Sequence, residues 1–232
     1  MPILSAFGAL KSFGAQGRVL SYSANFNNAS YCEYSTSSLS PGTNDFSVEF
    51  FINQTATPVN VSGFGDCVFD AGYRIGTGFN RGMRIWVQQD LTIYVQFYDP
   101  IGGANTIISS SSITLATWYY VGLSRVSGTT RLFIGSSQVG SNANINNSLE
   151  FTDNRFGAGI YTLSTNYLNA KVASFRLNVG SGFSTATVPT SPLSATAETK
   201  ILTFQTSSLI NEIGGAAPTT NTGVTVSPDD PF

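Results

Sequence analysis

The sequence predicts an all-β protein folded as a two-sheet antiparallel β-sandwich. Between residues 18 and 206 no apolar i, i+3, i+4 pattern persists over the length of a helix. Runs that alternate apolar and polar residues recur instead, bounded by Gly, Pro, Asn or Ser. In the segment DFSVEFFIN every second residue from Phe46 to Ile52 is apolar, and in KVASFRLNVG the same holds from Ala173 to Val179. Each alternating run indicates a strand with one buried face.

Other strands are predicted at 19–22, 30–35, 66–71, 83–98 (a hairpin), 155–160 and 200–205. Stretches rich in Gly, Pro and Asn are predicted as loops at 54–66, 99–112, 140–148 and 161–166. We divide the chain into an N-terminal docking arm (1–17), the sandwich (18–210) and an extended C-terminal tail that runs over the surface (211–232).

The stretch TWYYVGLSRVSGTTRLFIG predicts a hairpin whose two-residue turn is Ser127 and Gly128. That turn places Leu123 opposite Leu132, and every apolar residue then has an apolar partner across the hairpin. A slip of one residue would break this match, so the hairpin is predicted to pack one face against the hydrophobic core. Trp118, at its start, is interpreted as a packing residue.

A second hairpin is predicted in MRIWVQQDLTIYVQFY. A three-residue loop at 88–90 pairs Val87 with Leu91 and Ile85 with Ile93, and Asp90 can take the left-handed position that such a loop requires. The opposite face then carries Arg84, Trp86, Tyr94, Gln96 and Tyr98. This face is either a ligand-binding surface or a second packing layer covered by a loop or a neighbouring subunit, and packing is favoured.

Composition excludes several classes of function. Only 10% of residues are charged, the net charge is −2, and the eleven basic residues are scattered. The chain therefore lacks a basic patch for nucleic acid or an anionic membrane. Histidine is absent, which removes catalysis that depends on a Ser–His or Cys–His pair. Cys32 and Cys67 could form one disulfide, but two buried free thiols are favoured.

The N-terminal segment MPILSAFGALKSFG has neither a basic start nor an unbroken apolar run, so we expect no signal peptide and no membrane insertion. Ile3, Phe7 and Leu10 follow a helical spacing that would form a short apolar stripe, able to dock on a partner or on the protein itself. The residues assigned to this arm are Ile3, Leu4, Phe7, Leu10 and Phe13.

Taken together, DFSVEFFI, the alternating hairpin, TWYYVGLSRVSGTTRLFIG, LNAKVASFRLNVG and TKILTFQ resemble the concanavalin A-like, laminin G-type jelly rolls. The match is closest to those in tailed-phage virion proteins and covers residues 18–210. The resemblance implies two antiparallel sheets packed face to face. Its known roles range from glycan binding to structural parts of virions, and laminin G-type domains often hold Ca²⁺.

No aspartate could be aligned with the Ca²⁺ ligands of the family, so we assign no metal or other cofactor and leave Ca²⁺ binding open. Asp66, Asp70, Asp99 and Asp153 are expected to be solvated or to form turns. The fold also houses glycoside hydrolases, which need two carboxylates roughly 5–9.5 Å apart. Asp45 and Glu49 share a face, but four residues at about 3.3 Å each separate them by about 13 Å. Because Arg176 also points outward, Glu49 is predicted to form a cross-strand ion pair with it, and the chain is predicted not to be an enzyme.

Two functions remain. The first is a phage virion structural or adhesion module on the particle surface, a capsid decoration, head-fibre or tail-fibre subunit made in the host cytoplasm. It would bind other virion proteins and assemble as a homo-oligomer, a trimer being favoured. The second is a lectin-like module for a host surface glycan, in which Trp86, Tyr94 and Tyr98 stack on sugar rings. Arg84, Gln96 and Asp99 would then bind the hydroxyl groups.

Overall fold

The computed structural model describes residues 21–34, 39–59, 63–75, 78–99, 103–143, 148–160, 166–213 and 217–232. Within these residues all regular secondary structure is β, and the strands form two antiparallel sheets packed face to face. The predicted fold class is confirmed. The predicted arm, residues 1–17, lies outside the described residues.

The first sheet has the strand order β10-β9-β8-β3-β12-β1-β15, and β13 pairs with β12. Its strands are β1 (Ser23–Asn27), β3 (Phe46–Gln54), β8 (Trp118–Val126), β9 (Thr129–Ile134), β10 (Ser137–Asn142), β12 (Asn169–Val179), β13 (Thr199–Thr203) and β15 (Thr225–Ser227).

The second sheet has the strand order β14-β2-β11-β4-β5-β6-β7. Its strands are β2 (Tyr31–Glu33), β4 (Asp66–Ile75), β5 (Gly78–Val87), β6 (Thr92–Asp99), β7 (Gly103–Ser112), β11 (Asp153–Phe156) and β14 (Thr220–Thr222).

The core lies between the sheets, where the predicted inner face of β3 is fully buried. Its aromatic centre joins both layers: the ring of Phe175 on β12 stands edge-on to that of Phe156 on β11, with 4.6 Å between centroids. Phe204, after β13, makes a similar contact with Phe156 at 5.0 Å. Edge-to-face pairs of this kind add to the stabilisation that burial supplies.

The hairpin of β8 and β9 has the predicted register, with Leu123 opposite Leu132 and Gly122 opposite Phe133. Ser127 and Gly128 both have positive φ, at 50° and 78°, as the turn that matches strand twist requires. Trp118 lies half-buried against a small cluster on the outer face of the first sheet, in agreement with its predicted packing role.

The prediction for β12 is wrong in one respect, because a β-bulge interrupts the alternation. Two residues, Ser174 and Phe175, stand opposite Phe50 of β3, and Ser174 has a positive φ of 53°. The bulge turns Ala173 to the outer face, where it packs with Phe51, while Phe175 returns to the core.

Two strands lie in segments predicted as loops. β7 occupies most of 99–112, and β10 extends through Gly140 to residue 142. In β7 the apolar residues Ile107 and Ile108 are adjacent and a run of serines follows, so no alternation marks the strand.

The C-terminal residues are integrated into both sheets. β14 pairs with β2 in the second sheet, and β15 pairs with β1 in the first. The ring of Phe232 then packs on Phe51, with 4.9 Å between centroids. The segment predicted to run extended over the surface therefore covers part of the outer face of the first sheet.

Both cysteines are free and buried, as favoured from the sequence. Burial raises the pKa of the Cys67 thiol well above its ordinary value, so the thiol stays protonated and unreactive. Among the residues described, no helix is long and apolar enough to cross a membrane.

Candidate functional site

The outer face of the second sheet is built from cross-strand rows of side chains. The observed registers align Cys67 of β4, Trp86 of β5, Tyr94 of β6 and Ile108 of β7 in one row. Because alternate residues of a strand point to opposite sides, this row faces away from the core. The row passes from a buried residue, Cys67, to Ile108, which is 55% exposed.

The centre of this row is covered by Phe64. Its ring lies 4.8 Å from that of Trp86 between centroids, and the ring of Tyr94 lies 5.5 Å from Trp86 on the other side. The segment before β4 can approach the end of β5 closely because Gly65 has no side chain. A Cβ at this position would lie 1.9 Å from the Val87 carbonyl oxygen. Trp86 is consequently 0% exposed.

Arg84, in the next row, is held by a buried ion pair. Its Nε lies 3.2 Å from the Asp70 carboxylate, which also accepts a 2.8 Å hydrogen bond from the Ile160 N–H. Both side chains of the pair are buried, so the guanidinium is used within the fold.

Two aspartates expected to be solvated or turn-forming are buried instead. Asp70 forms the ion pair just described. Asp66 accepts hydrogen bonds from the Gln54 side chain at 2.7 Å and the Asn169 N–H at 3.2 Å. Burial raises the pKa of the Asp66 carboxyl above its ordinary value. The prediction failed because the partners of both aspartates come from distant segments of the chain, which the alternation of β4 does not reveal.

Beyond Tyr94 the surface opens into a groove, which we call the Tyr94 groove. Its volume is about 620 Å³, within the range of small-molecule sites. The described residues that line it are Gly63, Gln88, Gln89, Asp90, Thr92, Tyr94 and Ile108. The half-buried Tyr94 ring and the Ile108 side chain supply apolar surface, and amide, hydroxyl and carboxylate groups surround them.

The turn between β5 and β6 forms the polar rim of the groove, and its predicted register is wrong by two residues. The Gln88 N–H donates to the Thr92 carbonyl at 2.9 Å, so the three-residue loop is 89–91, one position later than predicted. Leu91 takes the left-handed conformation, with φ of 64°. Val87 therefore pairs with Ile93, yet the same residues face outward because a shift of two preserves the faces.

Asp90 orders this turn through Thr92. One carboxylate oxygen, Oδ1, accepts from the Thr92 N–H at 3.0 Å and from the Thr92 hydroxyl at 2.7 Å. These hydrogen bonds favour the charged form and lower the pKa of Asp90. The exposed carboxylate is thus held in a defined position at the edge of the groove.

Of the predicted ligand-binding residues, Tyr94 lines the groove, whereas Arg84 and Trp86 are buried. Gln96 and Tyr98 are half-buried further along β6, and the side chain of Asp99 lies outside the described part of the chain. Sequence reasoning missed Ile108 and the turn residues. The missing signal was β7, because only its pairing with β6 places Ile108 beside Tyr94.

The outer face of the first sheet holds the predicted ion pair. Arg176 lies opposite Glu49 and its Nε donates to Glu49 Oε2 at 3.0 Å. The hydroxyl of Tyr120 donates to Glu49 Oε1 at 2.8 Å, and Glu49 is buried. Asp45 accepts a 2.9 Å hydrogen bond from the Ser127 N–H. Each carboxylate thus serves a local structural role.

Among the described residues, no group of three or more Cys, Asp or Glu side chains is placed to hold a metal ion. We therefore assign no set of Ca²⁺ ligands among these residues.

The chain belongs to the Concanavalin A-like lectin/glucanases superfamily, whose laminin G-type model matches residues 26–178. No curated protein matches the chain by sequence.

Solved structures with the same fold share little sequence with it. A proposed carbohydrate-binding protein from Bacteroides ovatus has a TM-score of 0.63 at 14% identity, covering 92% of this chain and 61% of that protein. Domain 4 of an extracellular arabinanase from Geobacillus stearothermophilus, in complex with arabinotriose, has a TM-score of 0.55 at 13% identity, covering 69% and 72%. A sialidase carbohydrate-binding module from Ruminococcus gnavus, bound to α2,3-sialyllactose, has a TM-score of 0.52 at 9% identity, covering 72% and 95%. At these identities the likeness concerns the fold.

Proposed function

We propose that this chain is a glycan-binding module that holds a sugar in the Tyr94 groove. The observation that carries the proposal is the row of Trp86, Tyr94 and Ile108, which ends in an apolar platform rimmed by polar side chains. A pyranose ring has one apolar face and a rim of hydroxyl groups, so an aromatic ring beside amides and a carboxylate is complementary to it.

The platform is held in place before a ligand arrives. Trp86 supports the ring of Tyr94 from one side and is itself fixed beneath Phe64. The turn that carries the rim is closed by the hydrogen bond between Gln88 and Thr92. Preorganisation lowers the entropy lost on binding, which matters for weak sugar contacts.

The structural neighbours support the same function. The Geobacillus domain and the Ruminococcus module are complexes with an oligosaccharide, and the Bacteroides protein is itself a proposed carbohydrate binder. The local structural roles of Asp45 and Glu49 favour a non-catalytic function for this chain.

A glycan array followed by calorimetry on Tyr94→Ala tests the proposal. We expect the wild-type chain to bind at least one oligosaccharide. Tyr94→Ala should weaken that binding at least about tenfold, if stacking of a sugar ring on Tyr94 contributes as much as the roughly 1–3 kcal/mol that a nucleic-acid base gains on an aromatic side chain. Tyr98→Ala, on the same strand and face but outside the groove, is the matched control. Loss with Tyr98→Ala alone would place the ligand further along β6 and contradict the groove.

A second function, a virion structural and adhesion module, is supported by the low charge of the chain and by the apolar stripe of Ile3, Phe7 and Leu10. Surfaces of neutral amides and hydroxyls are buried between subunits at lower desolvation cost than ions. In this function the protein is located on a phage particle, the arm attaches it to other virion proteins, and the sandwich forms a homo-oligomer, with a trimer favoured.

Removal of residues 1–16 tests the second function. We expect the truncated chain to fold, as seen by circular dichroism, but to lose attachment to particles or its assembly state in light scattering. Unchanged attachment and unchanged mass would contradict the docking role of the arm.

A further inference from the structure

The charges around the Tyr94 groove are unevenly distributed. Among the described residues that line it, Asp90 is the one that carries a charge, and none is cationic. The other polar side-chain groups come from Gln88, Gln89, Thr92 and the Tyr94 hydroxyl, which are neutral donors and acceptors. From this described part of the lining, a ligand in the groove therefore meets a negative charge and no positive one.

The described cations nearby on the second sheet are already neutralised. Arg84 pairs with Asp70, Arg81 of β5 pairs with Glu150, and Arg155 of β11 pairs with Glu33. The other cationic side chains that the structure describes belong to strands of the first sheet: Arg125, Arg131, Lys171, Arg176 and Lys200. The groove thus has no described guanidinium or ammonium group to receive an acid.

We propose, on the basis of the glycan-binding function above, that the Tyr94 groove takes neutral sugars and discriminates against acidic ones, with Asp90 as the specificity-determining residue. The Asp90 carboxylate accepts hydrogen bonds from sugar hydroxyls, and Gln88 and Gln89 complete the polar contacts. Charge-assisted hydrogen bonds of this kind are stronger than those between neutral groups.

The same carboxylate disfavours sialic acid, uronic acid and sulfated sugars. A sugar carboxylate or sulfate in the groove would lie near Asp90 without a cation to compensate its loss of hydration. Two like charges about 4 Å apart in water repel enough to weaken binding about fivefold, and more where the groove excludes water. The hydrogen bonds from Thr92 keep Asp90 ionised and fixed, so the repulsion acts at a defined place.

The test uses a glycan array that presents neutral oligosaccharides beside their sialylated, uronic-acid and sulfated counterparts. Affinities of the best matched pair are then measured by calorimetry for the wild-type chain, Asp90→Asn and Asp45→Asn. Asp90→Asn keeps an oxygen that can accept from Thr92, so the turn is preserved. Asp45→Asn is the matched control, because Asp45 also accepts a backbone N–H in a hairpin turn but lies on the other sheet.

We expect the wild-type chain to bind the neutral member at least about fivefold more tightly than the acidic one. Asp90→Asn should weaken neutral binding and reduce the discrimination to less than about twofold, whereas Asp45→Asn should change neither. Equal or tighter binding of acidic glycans by the wild-type chain would overturn the specificity while leaving glycan binding intact. A neutral preference unchanged by Asp90→Asn would also overturn it, and binding of no glycan would overturn the proposed function itself.

Discussion

The two outer faces of the sandwich are built from similar residues but differ in how far other segments of the chain cover them. On the first sheet, hydrogen bonds link Glu49 to Arg176 and to Tyr120. The ring of Tyr120 packs on Phe51, and the C-terminal Phe232 packs on Phe51 in turn. On the second sheet, Phe64 covers the centre of the face, and the surface opens at β6 and β7. Polar and aromatic residues on an outer face therefore do not by themselves form a binding site, because the segments that cover the face decide which of these residues a ligand can contact.

The largest effect is expected at the covered face. Arg176→Met leaves the buried Glu49 carboxylate without its guanidinium, so we expect the free energy of unfolding to fall by about 2–4 kcal/mol. Urea denaturation measures the change. Lys171→Met is the matched control on the same strand: its pair with Asp229 is partly exposed, and its loss should cost less than about 1 kcal/mol. Equal losses in the two variants would show that burial does not distinguish these ion pairs.

The next effect concerns the cover of the second sheet. Phe64→Ala removes the ring above Trp86, and we expect a loss of about 1–2 kcal/mol together with a red shift of tryptophan emission as water reaches the indole. Fluorescence with a soluble quencher and urea denaturation measure both.

Phe183→Ala is the control for this variant. Phe183 packs on Phe133 at the outer face of the first sheet, with 5.5 Å between ring centroids, so its loss should lower stability without changing the emission. An unshifted spectrum in Phe64→Ala would mean that Phe64 is not what covers Trp86.

The smallest effect is expected at the rim of the groove. Asp90 has a lowered pKa in the folded protein, so its contribution to stability is present above the ordinary aspartate pKa and is lost as the pH falls through the lowered value. Thr92→Val removes one of the two donors, and the pKa of Asp90 should rise toward its ordinary value. NMR titration of the Asp90 carboxyl measures this, and an unchanged pKa would show that the Thr92 hydroxyl does not hold the charge.

The two hairpins show how far sequence predicts register. In β8 and β9 the turn needs two residues with positive φ, and Gly128 marks its place, so the predicted pairs are correct. In β5 and β6 no glycine marks the turn, and Leu91 adopts the left-handed conformation. The observed loop lies one position later than the predicted loop, and the strand pairing is shifted by two residues. Alternation cannot detect such a shift, because every residue keeps its face.

The site was predicted in part for the same reason. Tyr94 was placed on the correct outer face by alternation alone. Its partner Ile108 was missed because β7 lacks an alternating pattern. The burial of Trp86 and Arg84 agrees with the packing layer favoured from the sequence, but alternation could not name Phe64 and Asp70 as their partners, because these lie in other segments of the chain.

The sequence alone determined that the chain is a β-sandwich and which side chains lie on each face of its main strands. This is possible because successive side chains of a strand point to opposite faces, so the apolar and polar residues alternate along the sequence itself. Only the tertiary structure decided which outer faces are covered. Covering depends on contacts between segments far apart in the chain, such as Phe64 on Trp86 and Phe232 on Phe51, and local alternation carries no information about them.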